Sequence, residues 1–136
     1  MEKVSLTKAL KGRADVPSLS TTARWIKRGW INANGGGAVG TPYRIDDESL
    51  WQIRVLFLIS PYLNAKVMCQ FARIIQDRHN DKDYTGWLGV LENGEVVNLP
   101  PETMPTADIK VGGIHVKLVF NLNKVPFDPN AESPFS

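Results

Sequence analysis

The apolar positions of this chain recur at helical spacing up to about residue 78 and at strand spacing beyond residue 86, so helices precede a small sheet. The pattern predicts an α+β class. Leu6, Ala9 and Leu10 mark a first short helix, which Ser5 can cap and Gly12 can stop. Pro17 makes 14–18 a turn, because it lacks a donor and pushes Val16 out of the helical region. A second helix follows from a cap at Ser18 or Ser20. Leu19, Ala23, Ile26 and Trp30 recur in it at i, i+4, i+7 and i+11, which predicts an inner face, with Thr21, Arg24, Lys27 and Arg28 largely on other faces. Gly29 ends the helix, and Trp30 with Ile31 can fold back as an apolar plug.

The glycine-rich run 34–42 cannot pack a core and is predicted to be a mobile loop leading to a strand at Tyr43-Arg44-Ile45. Residues 46–49, AspAspGluSer, suit a helix entry, where the amino-terminal dipole favours acidic groups. The uniformly apolar run Leu50 to Ile59 fits helix or buried strand, and helix is preferred, with Pro61 as its end. Leu63, Val67, Phe71, Ile74 and Ile75 make the stripe of one amphipathic helix from 63 to about 78, for core packing or for a dimer contact.

Beyond a polar connector at 79–83, two hairpins are expected. The first runs from Trp87 to Leu99 around a two-residue Asn93-Gly94 turn. The second spans 108–122 around Gly112-Gly113, with Ile114, Val116, Leu118, Phe120 and Leu122 on one face and His115, Lys117 and Asn121 on the other. Residues 100–105 read as a loop, and the proline-containing segment 126–136 as an extended or disordered tail. The expected organisation is therefore 1–60, 61–125 and the tail.

With 136 residues and 43% hydrophobic content, the chain can bury one modest core or two small ones, not the body of a large enzyme. Its net charge of +2 hides an asymmetry. Residues 1–45 carry eight Lys plus Arg against Glu2 and Asp15, a net of +6, while 46–136 carry eight against twelve acidic residues, a net of −4. A polyanion partner is thus expected on the amino-terminal part.

Candidate chemistry is sparse. Cys69, the single cysteine, excludes an intramolecular disulfide and a multi-cysteine zinc site, and reads as a small buried hydrophobe. His79 and His115 have no metal-ligand spacing around them, and no GlyXSerXGly elbow or phosphate-cradling GlyLysSer ending is present. The expectation is a non-enzyme with no cofactor and no metal. Nothing reads as an export leader or membrane span, which predicts a cytoplasmic, nucleoid-associated protein without a membrane partner.

A helix-turn-helix followed by a flexible basic hairpin is the layout of a winged helix-turn-helix. Between about Val4 and Leu50 the chain resembles the Mu-type helix-turn-helix domain of repressors and transposases of transposable, Mu-like bacteriophages. The resemblance rests on Leu10-x-Gly12, Val16-Pro17-Ser18, Thr22-x-Arg24-x-x-Lys27-Arg28-Gly29-Trp30, Gly35-Gly36-Gly37, Tyr43-Arg44-Ile45 and Ser49-Leu50. A looser similarity, through Arg24 to Gly29 and Tyr43-Arg44-Ile45, is to excisionase and MerR-like winged helices. The expected architecture is an amino-terminal winged helix-turn-helix, a central amphipathic helix and a small carboxy-terminal antiparallel sheet.

The resemblance implies that the second helix enters the major groove and the wing lies along the adjacent minor groove. Thr21, Thr22, Arg24, Trp25, Lys27, Arg28 and Arg44 are then the implied contacts, with Lys8, Lys11 and Arg13 near phosphate. Ser20, Gly36 and Thr41 complete the candidate surface. The wing tip departs from the family pattern in carrying no charge. The function so implied is a sequence-specific, homodimeric binder of double-stranded DNA that represses transcription, of phage or prophage origin. Two alternatives stand beside it: an architectural factor of excision or transposition, and a protein-interaction module, such as an antirepressor, working through the carboxy-terminal sheet.

Overall fold

Each α-helix among the described residues begins at a short polar side chain that takes up a free backbone amide three residues on: Ser5, Ser18, Asp46 and Asn64. The computed structural model describes residues 3–36, 41–101 and 109–125. The helices are α1 (Leu6–Leu10), α2 (Leu19–Lys27), α3 (Asp47–Ile59) and α4 (Ala65–Asp77), and with two antiparallel sheets they make an α+β protein. Two compact units meet in the chain between Pro61 and Tyr62.

In the first unit, β1 (Val4–Ser5), β2 (Asn34–Gly35) and β3 (Tyr43–Ile45) form a sheet in the order β1-β3-β2. Val4 lies opposite Ile45, and Asn34 opposite Arg44. Two-residue strands carry no periodicity, which is why only β3 is legible as a strand and Asn34-Gly35 reads as loop. Helix α3 is apolar on nearly every side, with Leu50, Trp51, Ile53, Val55, Leu56 and Ile59 all buried. An all-round apolar helix belongs inside a core. Its cap, Asp46, accepts from the Ser49 amide at 2.9 Å, and the Ser49 hydroxyl donates to the Asn32 carbonyl at 2.6 Å. Asp15, in the turn between α1 and α2, pairs with Arg13 at 2.9 Å and with Arg54 of α3 at 2.8 Å. That carboxylate fastens the turn to α3.

In the second unit, β4 (Trp87–Leu91), β5 (Val96–Asn98), β6 (Lys110–Val111) and β7 (Ile114–Asn121) are ordered β5-β4-β7-β6. Helix α4 starts at Ala65, two residues later than expected, so Leu63 lies outside it. Its stripe is Val67, Met68, Phe71, Ala72 and Ile75, and Ile74 is half-buried. The Phe71 ring meets Phe120 of β7 edge to face, with centroids 5.5 Å apart. Gln70 reaches the first hairpin with both ends of its amide, donating to the Gly94 carbonyl at 2.8 Å and accepting from the Val96 amide at 3.0 Å. The stripe is therefore used within its own unit. Cys69 is half-buried rather than enclosed.

Both hairpins form, with two departures from expectation. The Leu91 amide bonds the Glu95 carbonyl and Gly94 sits at φ 87°, so the first loop has three residues, Glu92 to Gly94, instead of two. The second has the expected Gly112-Gly113 turn, at φ 58° and 83°. On β7 the register shifts: Val90 faces Leu118 but Leu91 faces Val116, leaving Lys117 as an extra residue. The bulge moves Val116 onto the face of Leu91 and away from Leu118 and Phe120, correcting the single five-residue face. The expected tail at 126–136, most of the 100–105 loop and the start of the second hairpin at Asp108 lie outside the described residues.

Candidate nucleic-acid interface

The orientation of α2 is set at its carboxy-terminal end. Gly29 takes φ 79°, its amide donates to the Ile26 carbonyl, and the Trp30 amide donates to the Trp25 carbonyl, both at 3.0 Å. This pair of bonds is a Schellman motif, which folds the residue after the glycine back over the last turn. The Trp25 and Trp30 rings accordingly meet with centroids 6.2 Å apart, and they are only 6% and 7% exposed. One turn earlier, Thr22 is fully enclosed and its hydroxyl donates to the Ser18 carbonyl at 3.0 Å. The inner face is thus Thr22 and Trp25. Of the expected inner face Trp30 is buried, but Leu19 is 47% exposed, and Ala23 and Ile26 are half-buried. Thr22 and Trp25 are withdrawn from the DNA-contact candidates, because their side chains are enclosed in the core.

With the helix turned this way, Ser20, Arg24 and Lys27, at i, i+4 and i+7, form the outward ridge. Ser20, Arg24 and Lys27 are exposed, and α2 contains no carboxylate. Thr21 belongs to the cap: its hydroxyl accepts from the Ser18 hydroxyl at 3.1 Å, and its amide donates to that same oxygen at 3.2 Å. Arg28 is exposed with its guanidinium over the Trp30 ring, 5.2 Å from the centroid. The ring fixes a cation at the end of α2.

The other candidates divide into available and committed groups. Lys8 on α1 and Lys11 just after it are exposed. Arg13 is half-buried and held by Asp15, a carboxylate it shares with Arg54. Arg44 on β3 is exposed while donating to the Lys3 carbonyl at 2.9 Å, and the Lys3 ammonium bonds the Asn34 side chain. These contacts stitch the three strands together. Gly36, at φ 75°, leaves room for the Tyr43 ring that any Cβ would overlap. Its contribution is to the root of the hairpin. Thr41 is exposed, and 37–40, the middle of the expected wing tip at 33–42, lie outside the described residues.

Among the described residues of 3–45, the only carboxylate is Asp15. Burial alone would push its pKa up, but the hydrogen bond and charge of Arg13, together with the Arg54 guanidinium, more than reverse this and hold it below the ordinary value. The basic surface is consequently not cancelled from within: no ion pair among the described residues involves Lys8, Lys11, Arg24 or Lys27.

Sequence spacing missed one feature. Leu10, Lys11, Val16, Pro17 and Leu19 are among the residues that line an open groove of about 280 Å³ where α1, the turn and α2 meet. No group of three His, Cys, Asp or Glu among the described residues could hold a metal ion. No helix among them is long and apolar enough to cross a membrane. Compared with protein-family models, with curated proteins and with solved structures, the chain matches none.

Proposed function

We propose that residues 1–60 are a winged helix-turn-helix that binds duplex DNA, and that the protein is a transcriptional regulator acting as a repressor, of phage or prophage origin. The observation that carries this reading is the ridge Ser20-Arg24-Lys27, with exposed Lys8, Lys11, Arg28 and Arg44 on the same unit and its one described carboxylate of 3–45 already paired. Such a surface suits a polyanion whose phosphates release counterions on binding. The order α1, turn, α2, then the β2–β3 hairpin supports a helix for the major groove and a wing beside it. The Mu-type residues quoted above support the phage setting. Because the α4 stripe is used within its own unit, a homodimer would form through another surface.

The test is a titration of the full chain against duplexes from its own genomic neighbourhood, followed by fluorescence anisotropy at two salt concentrations with excess nonspecific competitor. Binding that survives the competitor, with a log–log salt slope of about −4 to −5 for roughly five phosphate contacts, is the expected result. Arg24→Ala combined with Lys27→Ala should flatten that slope by about 2. Unchanged affinity and slope in the double variant would remove α2 from the interface.

A further inference from the structure

Leu19 stands out on α2: a large apolar side chain, 47% exposed, on the first turn of a helix whose neighbouring outward positions are Ser20, Arg24 and Lys27. Leu19 lines the groove at the turn together with Leu10, Val16 and Pro17. Ala23 follows it at i+4, so an apolar column, Leu19-Ala23, runs beside the polar column Ser20-Arg24-Lys27. Base edges in the major groove offer two matching chemistries, hydrogen-bond acceptors such as guanine O6 and N7, and the 5-methyl group of thymine.

Building on the proposed DNA-binding reading, we propose that Leu19 is a specificity-determining residue that reads a thymine methyl, next to the base contacted from the polar column. The first turn of a recognition helix is the part that meets base edges. Cations on the adjacent column make a nucleic acid the fitting occupant, whereas an apolar protein partner would leave Arg24 and Lys27 against an uncharged surface. A leucine cannot hydrogen-bond a base, so its discrimination must come from methyl contact alone. Contact with one methyl group corresponds to about 0.8 kcal/mol, or a roughly fourfold change in affinity.

The experiment selects tight binders for the full chain from a random duplex library, then replaces each thymine of the selected site by deoxyuridine, which deletes only the methyl. For the unaltered protein, one replacement within the half-site should weaken binding about fourfold. Leu19→Ala should bind the thymine site about as weakly as that, and show no further loss at the same deoxyuridine, the coupling expected of a direct contact. The deoxyuridine series on the unaltered protein reads the contact without any change to the fold. If no thymine distinguishes the two proteins, the inference is overturned while DNA binding stands. If the library yields no preferred sequence and binding is insensitive to salt, the DNA-binding reading falls, and the inference with it. A Leu19→Ala variant that binds every duplex normally but loses a protein partner would assign the leucine and its groove to protein docking instead, and overturn the thymine assignment.

Discussion

Helices α2 and α4 are both amphipathic and both capped by a short polar side chain, yet different physics turns each one toward its core. In α4, thirteen residues long, the stripe through Val67, Phe71 and Ile75 is dense enough that burying it outweighs any competing orientation. In α2, nine residues long, Leu19, Ala23 and Ile26 offer little apolar area, and two indoles offer far more. The Schellman bonds at Gly29 place Trp30 against Trp25, and the helix turns to follow them. A sparse helix takes its orientation from its cap and its largest rings. A rich one takes it from its period.

Removing the anchors should break this comparison most severely. Trp25→Ala is expected to cost about 3–5 kcal/mol, enough to unfold the first unit, and Phe71→Ala about as much in the second. Chemical denaturation followed by circular dichroism would measure both. A Trp25→Ala protein that stays folded and loses only DNA affinity would return Trp25 to the contact surface.

Next in size is the hairpin root. Gly36→Ala must adopt φ near 75° and displace the Tyr43 ring, so a loss of about 2 kcal/mol is expected. Gly29→Ala meets nothing within 4 Å, so only the left-handed backbone opposes it, at about 1 kcal/mol. Comparing their melting midpoints separates strain from overlap: equal losses would mean that Tyr43 yields freely.

The smallest effect concerns the clamp at Asp15. Its pKa is lowered in the folded protein, so its contribution is fully present above the ordinary carboxylate range. It fades as pH falls through that range to the folded value and is gone below it. With the Asp15 side chain 45% exposed, solvent screening keeps the contribution under about 1 kcal/mol. Asp15→Asn should be slightly less stable at pH 7 and converge with the unaltered protein in acid. A difference that persists in acid strong enough to protonate the carboxyl in the folded protein would mean that packing, not charge, holds the turn to α3.

Much of the local structure was legible. Ser5, Ser18 and Asp46 announce helix starts because a side-chain oxygen beside free amides acts within one turn of chain. Gly29 and the Gly112-Gly113 pair announce a helix stop and a hairpin turn, because few other residues adopt a positive φ cheaply. The contact of Trp30 with Trp25 was also within reach, since a glycine stop followed by an aromatic residue implies an apolar partner in the last turn. Periodicity instead pointed at Leu19, Ala23 and Ile26, and the resemblance placed Thr22 and Trp25 among the DNA contacts, where the core holds them instead. Of the candidate contacts that the resemblance implied, Lys8, Lys11, Arg24, Lys27 and Arg28 are exposed, as is Ser20 beside them. Arg13 was not distinguished from them, because its partner Asp15 also serves Arg54, 39 residues further along the chain.

What the sequence determined by itself is the set of elements whose causes are local: the caps at Ser5, Ser18 and Asp46, the stop at Gly29, the Gly112-Gly113 turn, the Val67-Phe71-Ile75 line of α4 and the charge contrast between the two halves. Tertiary structure alone decided the pairing of β1 with β3, the bulge that leaves Lys117 over on β7 and the pairing of Asp15 with Arg54. Each of these is a choice between partners distant in the chain or between two faces of one element. Such choices are settled by how much apolar area and how many hydrogen bonds the assembled unit can satisfy at once, a quantity that no window of sequence contains.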